Sequence, residues 1–293
     1  MRFFAQLLLD FTAKNTSPVQ LVIDTVIILL LLLIASTVLQ TIRMIGRLIW
    51  GDIVRAVRWR THHASFSAQH LNGKRILILG DSTAFGMGAD RPEDTIAGRF
   101  GHDFPNTEIV NLGVNGAVTS EVLRQAYTVR GQHFDLVLLF TGGNDIWRFT
   151  RLSALERSLT TLIKETGVVS DQKVIVLFYA NFGLSPLFPL FIRRTLVWRM
   201  LKVREIFLRV CKQLDVAYIE LYVESDQQNP FKEDPRRYFS YDYTHPSSEG
   251  YRLWYNRMWR EMLARGYSFE DMRPTNTNPP NLPPSDDPLI HSK

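Results

Sequence analysis

The stretch RILILGDSTAFGMGAD (residues 75–90) runs an apolar segment directly into Gly80, Asp81 and Ser82. It lacks the lysine that a P-loop places after its second glycine, and it lacks the third glycine of the dinucleotide fingerprint. The hydrolase pattern Gly-x-Ser-x-Gly is also incomplete, because Ala84 occupies the position of the second glycine. The stretch therefore predicts a buried strand that ends in a turn carrying a serine, and the rest of the chain has to show what that serine does.

Four other short apolar runs follow, and predicted helices separate them. With the first, the predicted strands are 75–80, 107–113, 135–142, 173–180 and 217–222, and the predicted helices include 118–130, 151–166 and 193–214. Near-continuous apolar strands that alternate with helices are typical of a parallel sheet covered on both faces. The predicted fold class is therefore α/β with a central parallel sheet.

Small and polar residues follow three of the predicted strands. They are Gly80-Asp81-Ser82, Asn111 to Gly116, and Gly142-Gly143-Asn144-Asp145. Because the carboxyl ends of parallel strands meet at one edge of a sheet, these residues are expected to share a ligand site. Glycines let backbone N–H groups approach a ligand, and an asparagine amide donates hydrogen bonds without a charge, so this edge has the parts of an oxyanion hole.

The segment SYDYTHPSSEGY (residues 240–251) supplies a base. His245 lies three residues after Asp242, whose carboxylate can accept the second ring N–H. Pro246 disfavours helix at His245 and suits the first turn of a helix that follows. The chain thus holds a nucleophile, an orienting carboxylate and a base in the order Ser82, Asp242, His245.

These blocks together resemble, in order and spacing, the four sequence blocks of the SGNH (GDSL-type) hydrolases, over about residues 73–266. The resemblance implies a three-layer α/β/α sandwich, with Ser82 as nucleophile, His245 as base and Asp242 as its partner. It also implies an oxyanion hole built from the backbone N–H groups of Ser82 and Gly116 and the side-chain amide of Asn144. Gly113 is the alternative to Gly116, and Thr83 stands where the family name has leucine, a position without a role in the mechanism.

Composition limits the other classes of function. The 293 residues are 22% charged and 45% apolar, which is typical of an ordinary globular protein. Cys211 is the one cysteine, so neither an intramolecular disulfide nor a cysteine metal cluster can form, and there is no His-Glu-x-x-His motif. We therefore predict no metal site, and the resemblance implies no cofactor.

Most of the net charge of +5 lies in residues 41–60, which does not favour a nucleic-acid interface.

The N-terminal part of the chain predicts membrane attachment. Residues 21–39 are almost wholly apolar, and as a helix they span roughly 28 Å, about the thickness of a bilayer core. A buried core helix and a cleaved signal peptide are the weaker alternatives. The next residues are amphipathic, with an arginine face that is suited to anionic lipid. That face consists of Arg43, Arg47, Arg55 and Arg58, with Trp50 and Trp59 at headgroup level.

Two further segments complete the predicted organisation. The loop at 181–194 (NFGLSPLFPLFIRR) is apolar enough to form either a packed helix start or an acyl-chain groove or lid. The last residues are rich in proline and polar side chains, and we predict disorder from about residue 271. The predicted segments are an N-terminal tail (1–20), a transmembrane helix (21–40), a basic juxtamembrane segment (41–72), an SGNH hydrolase domain (73–266) and a C-terminal tail (267–293).

The sequence as a whole predicts a single-pass, membrane-anchored serine esterase whose substrate is an acyl ester, with a lipid or lysophospholipid favoured. A carbohydrate or cell-envelope O-acetyl esterase and an acyltransferase would use the same triad. A membrane-bound interaction module with a vestigial site is the alternative from another class. Because basic residues near the span are in excess on its carboxyl side, the catalytic domain is predicted on the cytoplasmic side.

Overall fold

A computed structural model describes residues 17–59, 65–69, 73–170, 173–179, 182–221 and 229–267, with side chains in the first range described up to residue 46. The disorder predicted from residue 271 and most of the N-terminal tail lie outside these residues. The chain divides into two compact units between Ile49 and Trp50.

The first described helix, α1 (Pro18–Trp59), continues from the predicted transmembrane segment into the predicted juxtamembrane segment as far as residue 59. Its part from Pro18 to Gly46 has 29 residues, a mean hydropathy of 2.8 in its most apolar window, and none of that window buried. At 1.5 Å per residue this part is about 43 Å long, which is sufficient to cross a bilayer. The predicted arginine face beyond Arg43 falls on side chains outside the described ones.

The second unit contains a five-stranded sheet in which all neighbouring strands are parallel. The strands are β1 (Arg75–Gly80), β2 (Glu108–Asn111), β3 (Leu136–Phe140), β4 (Val174–Phe178) and β5 (Ala217–Glu220), in the spatial order β2-β1-β3-β4-β5. Every residue of β3 and β4 is buried, as the near-continuous apolar runs predicted. The parallel sheet predicted from the sequence is therefore confirmed.

Helices cover both faces of this sheet. In chain order they are α2 (Ser82–Phe85), α3 (Ile96–Asp103), α4 (Thr119–Thr128), α5 (Gly143–Trp147), α6 (Leu152–Val168), α7 (Leu190–Gln213), α8 (Pro230–Glu233), α9 (Pro235–Tyr238) and α10 (Ser248–Ala264). Helices α4, α6 and α7 pack side by side in one layer, and α3 and α10 pack together in the other. Phe100 of α3 stacks on Trp259 of α10, with the ring centroids 5.0 Å apart. The architecture is the predicted three-layer α/β/α sandwich.

The strand order fixes where a ligand site can form. From β1 the chain crosses to β2 on one side, and from β2 it crosses back to β3 on the other side of β1. In such doubly wound sheets a crevice opens outside the carboxyl ends of the two strands where the direction of crossing reverses. Here those strands are β1 and β3, which are followed by Ser82 and Asn144.

The elements differ from the predicted bounds mainly at the edge of the sheet that carries the site. Strand β3 ends at Phe140 rather than at 142, because Gly142 adopts a left-handed conformation (φ +101°) and α5 begins at Gly143. Helix α7 begins at Leu190, three residues before the predicted start, so that it takes in the end of the apolar loop. Residues before the predicted domain start also pack on the sheet, since Ala68 pairs with Ile109 of β2 in antiparallel fashion.

Candidate active site

Ser82 is the first residue of α2 and follows β1 after only Asp81. The Asp81 side chain caps the helix by accepting a hydrogen bond from the Thr83 N–H at 2.9 Å. Gly80 allows this sharp turn, because a Cβ at that position would lie 2.2 Å from the carbonyl oxygen of Phe140 in the neighbouring strand. The two strands therefore approach closely where the serine is presented.

The structure brings Ser82, His245 and Asp242 into one hydrogen-bonded chain. The Nε2 atom of His245 lies 2.8 Å from Ser82 Oγ, although the two residues are 163 positions apart. The Nδ1 atom of His245 lies 2.6 Å from Asp242 Oδ2. With Nδ1–H directed to the carboxylate, Nε2 is left as the acceptor for the serine proton.

Asp242 is built into a tight loop that favours its charged form. Its Oδ1 accepts hydrogen bonds from Ser240 Oγ and from the backbone N–H groups of Thr244 and His245, at 2.9 to 3.0 Å. Burial alone would raise the pKa of Asp242, but the facing charge of His245 and the hydrogen bonds from His245 and Thr244 outweigh it, and the pKa lies well below the usual range. The carboxylate is therefore ionised and able to orient the imidazole at neutral pH.

One detail of this loop differs from the prediction. Pro246 was expected in the first turn of the next helix, but α10 begins at Ser248 and Ser247 is its N-cap, accepting from the Gly250 N–H. Pro246 instead pairs with Phe239 in an antiparallel bridge, and the Ser240 N–H donates to the His245 carbonyl at 2.8 Å. His245 is thus fixed by a closed loop in front of the helix rather than by the helix itself.

The loop after β2 carries both glycines considered for the oxyanion hole. Gly116 adopts a left-handed conformation (φ +78°), and a Cβ there would meet only a nitrogen of the Arg148 guanidinium, at 3.3 Å. At Gly113 a Cβ would lie 2.4 Å from the backbone nitrogen of Phe85, so that glycine is needed for packing against α2. Gly116 is therefore the more accessible of the two.

Asn144 lies in the first turn of α5, beside the residue that caps α2. Its Nδ2 donates to the carbonyl of Ala117 at 3.1 Å and has a longer contact, of 3.3 Å, with Asp81 Oδ2. The contact with Ala117 joins Asn144 to the loop of Gly116, and the contact with Asp81 joins it to Ser82. The end of β1, the loop after β2 and the end of β3 thus meet, as the shared sheet edge predicted.

Sequence reasoning missed a buried hydrogen-bonded pair beneath the serine. The hydroxyl of Tyr179, directly after β4, donates to Asp81 Oδ2, and both side chains are buried. Burial raises the pKa of Asp81 to about 6 and raises that of Tyr179 well above its usual value. Tyr179 is a polar residue at the carboxyl end of a predicted strand, and this signal was available in the run KVIVLFYA.

The arrangement is that of a serine hydrolase: a serine, a histidine and an ionised carboxylate in sequence at the ligand-binding edge of an α/β sheet. Among the described residues, no group of three or more histidine, cysteine, aspartate or glutamate side chains is placed to hold a metal ion.

Comparison with known proteins agrees with this class. The model of the GDSL-like Lipase/Acylhydrolase family matches residues 78–253, and the chain belongs to that family. It is accordingly an ester-hydrolysing serine hydrolase. A search of curated proteins found no match.

Three solved structures illustrate the likeness in fold. A member of the lipolytic protein G-D-S-L family from Veillonella parvula is 18% identical with a TM-score of 0.51, over 64% of this chain and 97% of that one. TesA is 16% identical with a TM-score of 0.50, over 64% and 98%. The lipase/acylhydrolase from Enterococcus faecalis is 23% identical with a TM-score of 0.49, over 66% and 96%. At these identities the first two support the fold and leave the substrate open.

Proposed function

We propose that this chain is a membrane-anchored esterase that cleaves acyl lipids, with Ser82 as nucleophile, His245 as base and Asp242 as the orienting carboxylate. The observation that carries the proposal is the hydrogen-bonded chain from Ser82 Oγ through the His245 ring to Asp242, with contacts of 2.8 and 2.6 Å. These are distances at which a proton can pass from a hydroxyl to an imidazole.

In this mechanism Ser82 Oγ attacks the ester carbonyl while its proton moves to His245 Nε2. The tetrahedral intermediate collapses, the C–O bond to the alcohol breaks, and His245 returns the proton to the departing alcohol. A water molecule then attacks the acyl-serine, His245 accepts a proton from it, and the acid leaves as Ser82 recovers its hydrogen. Asp242 keeps the proton on Nδ1 throughout.

The negative charge of the intermediate is stabilised by the backbone N–H groups of Ser82 and Gly116 and by Asn144. In the free enzyme the amide of Asn144 is held by Ala117 and, more weakly, by Asp81. The longer contact, to Asp81, is the one that gives way when this N–H donates a hydrogen bond to the oxyanion. Such donors act mainly in the transition state, where the charge develops.

Exposed apolar side chains near Asn144 support an acyl lipid as substrate. Trp147, three residues after Asn144, is 42% exposed and packs on Phe188, with the ring centroids 5.3 Å apart. Two residues beyond Phe188, at the start of α7, Leu190 and Phe191 are about half exposed. An acyl chain that leaves the oxyanion hole along these side chains would cover apolar surface otherwise exposed to water.

The same proposal makes Pro18–Gly46 a retained anchor. This segment is long, apolar and unburied. The excess of arginine after it favours a cytoplasmic catalytic domain.

The test is an ester screen of varied acyl length on the full-length chain in detergent, beside S82A and H245A. Loss of a triad member lowers kcat by about 10⁴-fold to 10⁶-fold, and we expect both variants to retain the wild-type melting temperature. Hydrolysis by purified S82A within about tenfold of wild type would rule out this mechanism. A wild type that cleaves only acetyl esters would support an O-acetyl esterase instead of a lipid esterase.

A further inference from the structure

A pocket of about 450 Å³ opens beside Gly116, on the edge of the sheet that carries the triad. It is lined by the loop after β2, by one side of α4 and by Arg148, which follows α5. Gln125 of α4 forms part of the wall, and its amide makes two hydrogen bonds, at 2.9 and 2.8 Å, with the backbone N–H and carbonyl of Gly80. Since Gly80 lies two residues before Ser82, the pocket borders the proposed site of ester cleavage.

Two arginines and one glutamate give this pocket its charge. Arg124 lies 3.4 Å from Glu121, and Arg148 is 4.0 Å from it. Glu121 is also committed to α4, because its Oε2 accepts a hydrogen bond from the Val118 N–H at 2.9 Å. These three charged side chains together leave the pocket with a net positive charge. The other lining residues are uncharged.

Arg148 is attached to the proposed oxyanion hole through the backbone. Its N–H donates to the carbonyl of Asn144 at 2.8 Å, and its guanidinium lies against Gly116. Its side chain is 54% exposed, and that of Arg124 is 70% exposed, so both can reach a ligand in the pocket. Guanidinium groups on two different elements can bind one anionic group from two directions. This arrangement suits the tetrahedral oxygens of a phosphate better than a planar carboxylate.

We propose that this pocket binds a phosphate group on the alcohol side of the substrate, through Arg148 and Arg124. The inference rests on the proposed function, because it assigns the pocket to the leaving-group half of the same ester. It narrows the substrate to acyl esters with a negatively charged phosphate close to the ester bond. Exposed arginines act through screened charge, so the preference should weaken as the salt concentration rises.

The test compares 1-octanoylglycerol 3-phosphate with 1-octanoylglycerol, which differ only in the phosphate. The full-length chain in detergent should have a higher kcat/KM for the phosphorylated ester than for the other. R148Q should lower the ratio of these two kcat/KM values about tenfold, which is near the lower limit for the loss of a hydrogen bond to a charged group, because Arg148 is exposed. R124Q should also lower this ratio. The matched control is R130Q, since Arg130 is 59% exposed and paired with Glu165 outside the pocket, and it should leave the ratio unchanged.

A binding measurement separates this inference from the proposed function. The full-length S82A protein should bind 1-octanoylglycerol 3-phosphate more tightly than 1-octanoylglycerol by calorimetry, and adding R148Q should remove that difference. If S82A and S82A/R148Q show these affinities while the wild type cleaves neither ester, the pocket is supported and the proposed cleavage of acyl lipids fails. An unchanged ratio in R148Q, or an equal affinity for 4-octanoyloxybutanoate, whose charge is a carboxylate, would overturn the assignment to phosphate.

Discussion

The carboxylate of Asp81 lies next to the proposed nucleophile and has three partners from three parts of the chain. It accepts hydrogen bonds from the Thr83 N–H and the Tyr179 hydroxyl, and it contacts Asn144. Asp81 is therefore a positioning residue: it fixes the start of α2, and through Asn144 it fixes one donor of the proposed oxyanion hole. In the proposed mechanism it takes no part in the proton transfers.

Asn144→Ala is expected to reduce catalysis less than the loss of Ser82. Two backbone donors to the oxyanion remain, and one lost donor costs roughly 3 to 4 kcal/mol at the transition state. We expect kcat to fall accordingly and KM to change little, because the interaction develops only with the charge. Steady-state kinetics on a short-chain ester measure both values, and a rise in KM with kcat preserved would place Asn144 in substrate binding instead.

Asp81→Asn is expected to change how stability depends on pH. Burial raises the pKa of Asp81 from 3.8 to about 6, against smaller opposing effects of its hydrogen bonds and of His245. The folded protein thus keeps a proton that the unfolded chain releases, so this group stabilises the fold below pH 4 and the contribution is lost as the pH rises to about 6. Relative to D81N, the free energy of unfolding of the wild type should fall by about 2 kcal/mol between pH 4 and pH 6.

Urea unfolding of the two proteins from pH 3 to pH 8 measures this difference. Asp242→Asn is a control with the opposite sign, because the pKa of Asp242 is lowered and its stabilising contribution is lost only as the pH falls below about 4. A free energy of unfolding of the wild type, relative to D81N, that stays level or rises from pH 4 to pH 6 would contradict the raised pKa of Asp81.

The segment before α7 contacts both the loop of His245 and the helix of Asn144. Ser185 Oγ donates to the carbonyl of Tyr243, inside the loop that holds Asp242 and His245, at 2.6 Å. Phe188 packs on Trp147, three residues after Asn144. Leu187 and Phe188 are 3% exposed, so these two apolar residues of the loop form a packed core and the exposed apolar surface begins at Leu190.

Leu190→Ser together with Phe191→Ser is therefore the substitution that tests an acyl-binding surface without disturbing the core. If the acyl chain lies there, activity rises with chain length in the wild type, and the double variant loses the gain from acetyl to octanoyl esters. The matched control is Trp198→Ser, on the same helix and 59% exposed, about two turns further on. If the ratio of the octanoyl rate to the acetyl rate is the same in the wild type and in the double variant, this surface does not bind the acyl chain.

The centres of the elements could be predicted from the sequence because burial on both faces leaves a continuous apolar run, as in LVLLF of β3. The ends of the elements could not be predicted, because residues such as Gly142, which was predicted to lie in the strand, belong to the turn that forms the site. The order of the strands in the sheet is set by packing between distant segments, and local patterns do not contain it.

The proposed catalytic residues could be identified from the sequence by their type and by their order along the chain. The contacts that support them could not, since Tyr179 and Asp81 are 98 positions apart and Gln125 and Gly80 are 45 apart. The position of Tyr179 at the end of an apolar run is visible in the sequence, but its pairing with Asp81, like that of Gln125 with Gly80, depends on tertiary contact. Arg148 was overlooked for the same reason, because an isolated arginine after a short helix resembles any surface residue.

The distribution of basic residues around the apolar segment predicts how the chain is oriented in the membrane. The basic residues before the apolar segment are Arg2 and Lys14, and those within about 20 residues after it are Arg43, Arg47, Arg55 and Arg58. This excess predicts that the N-terminal end lies outside and the catalytic unit in the cytoplasm.

Gln6→Cys and Ser285→Cys place one labelling position on each side of the apolar segment. Cys211 is an acceptable background, because it is 1% exposed and burial raises its pKa to about 12, so its thiolate is scarce.

An impermeant thiol reagent applied to intact cells should label Q6C and spare S285C, and both should react after the membrane is permeabilised. The chain without an introduced cysteine, treated in the same way, measures the contribution of Cys211. Labelling of S285C but not Q6C in intact cells would place the catalytic unit outside, where a phosphate-bearing ester would have to come from the outer leaflet or the medium. The arginines after the apolar segment would then face the outer surface, against the charge asymmetry that usually sets the orientation of a single span.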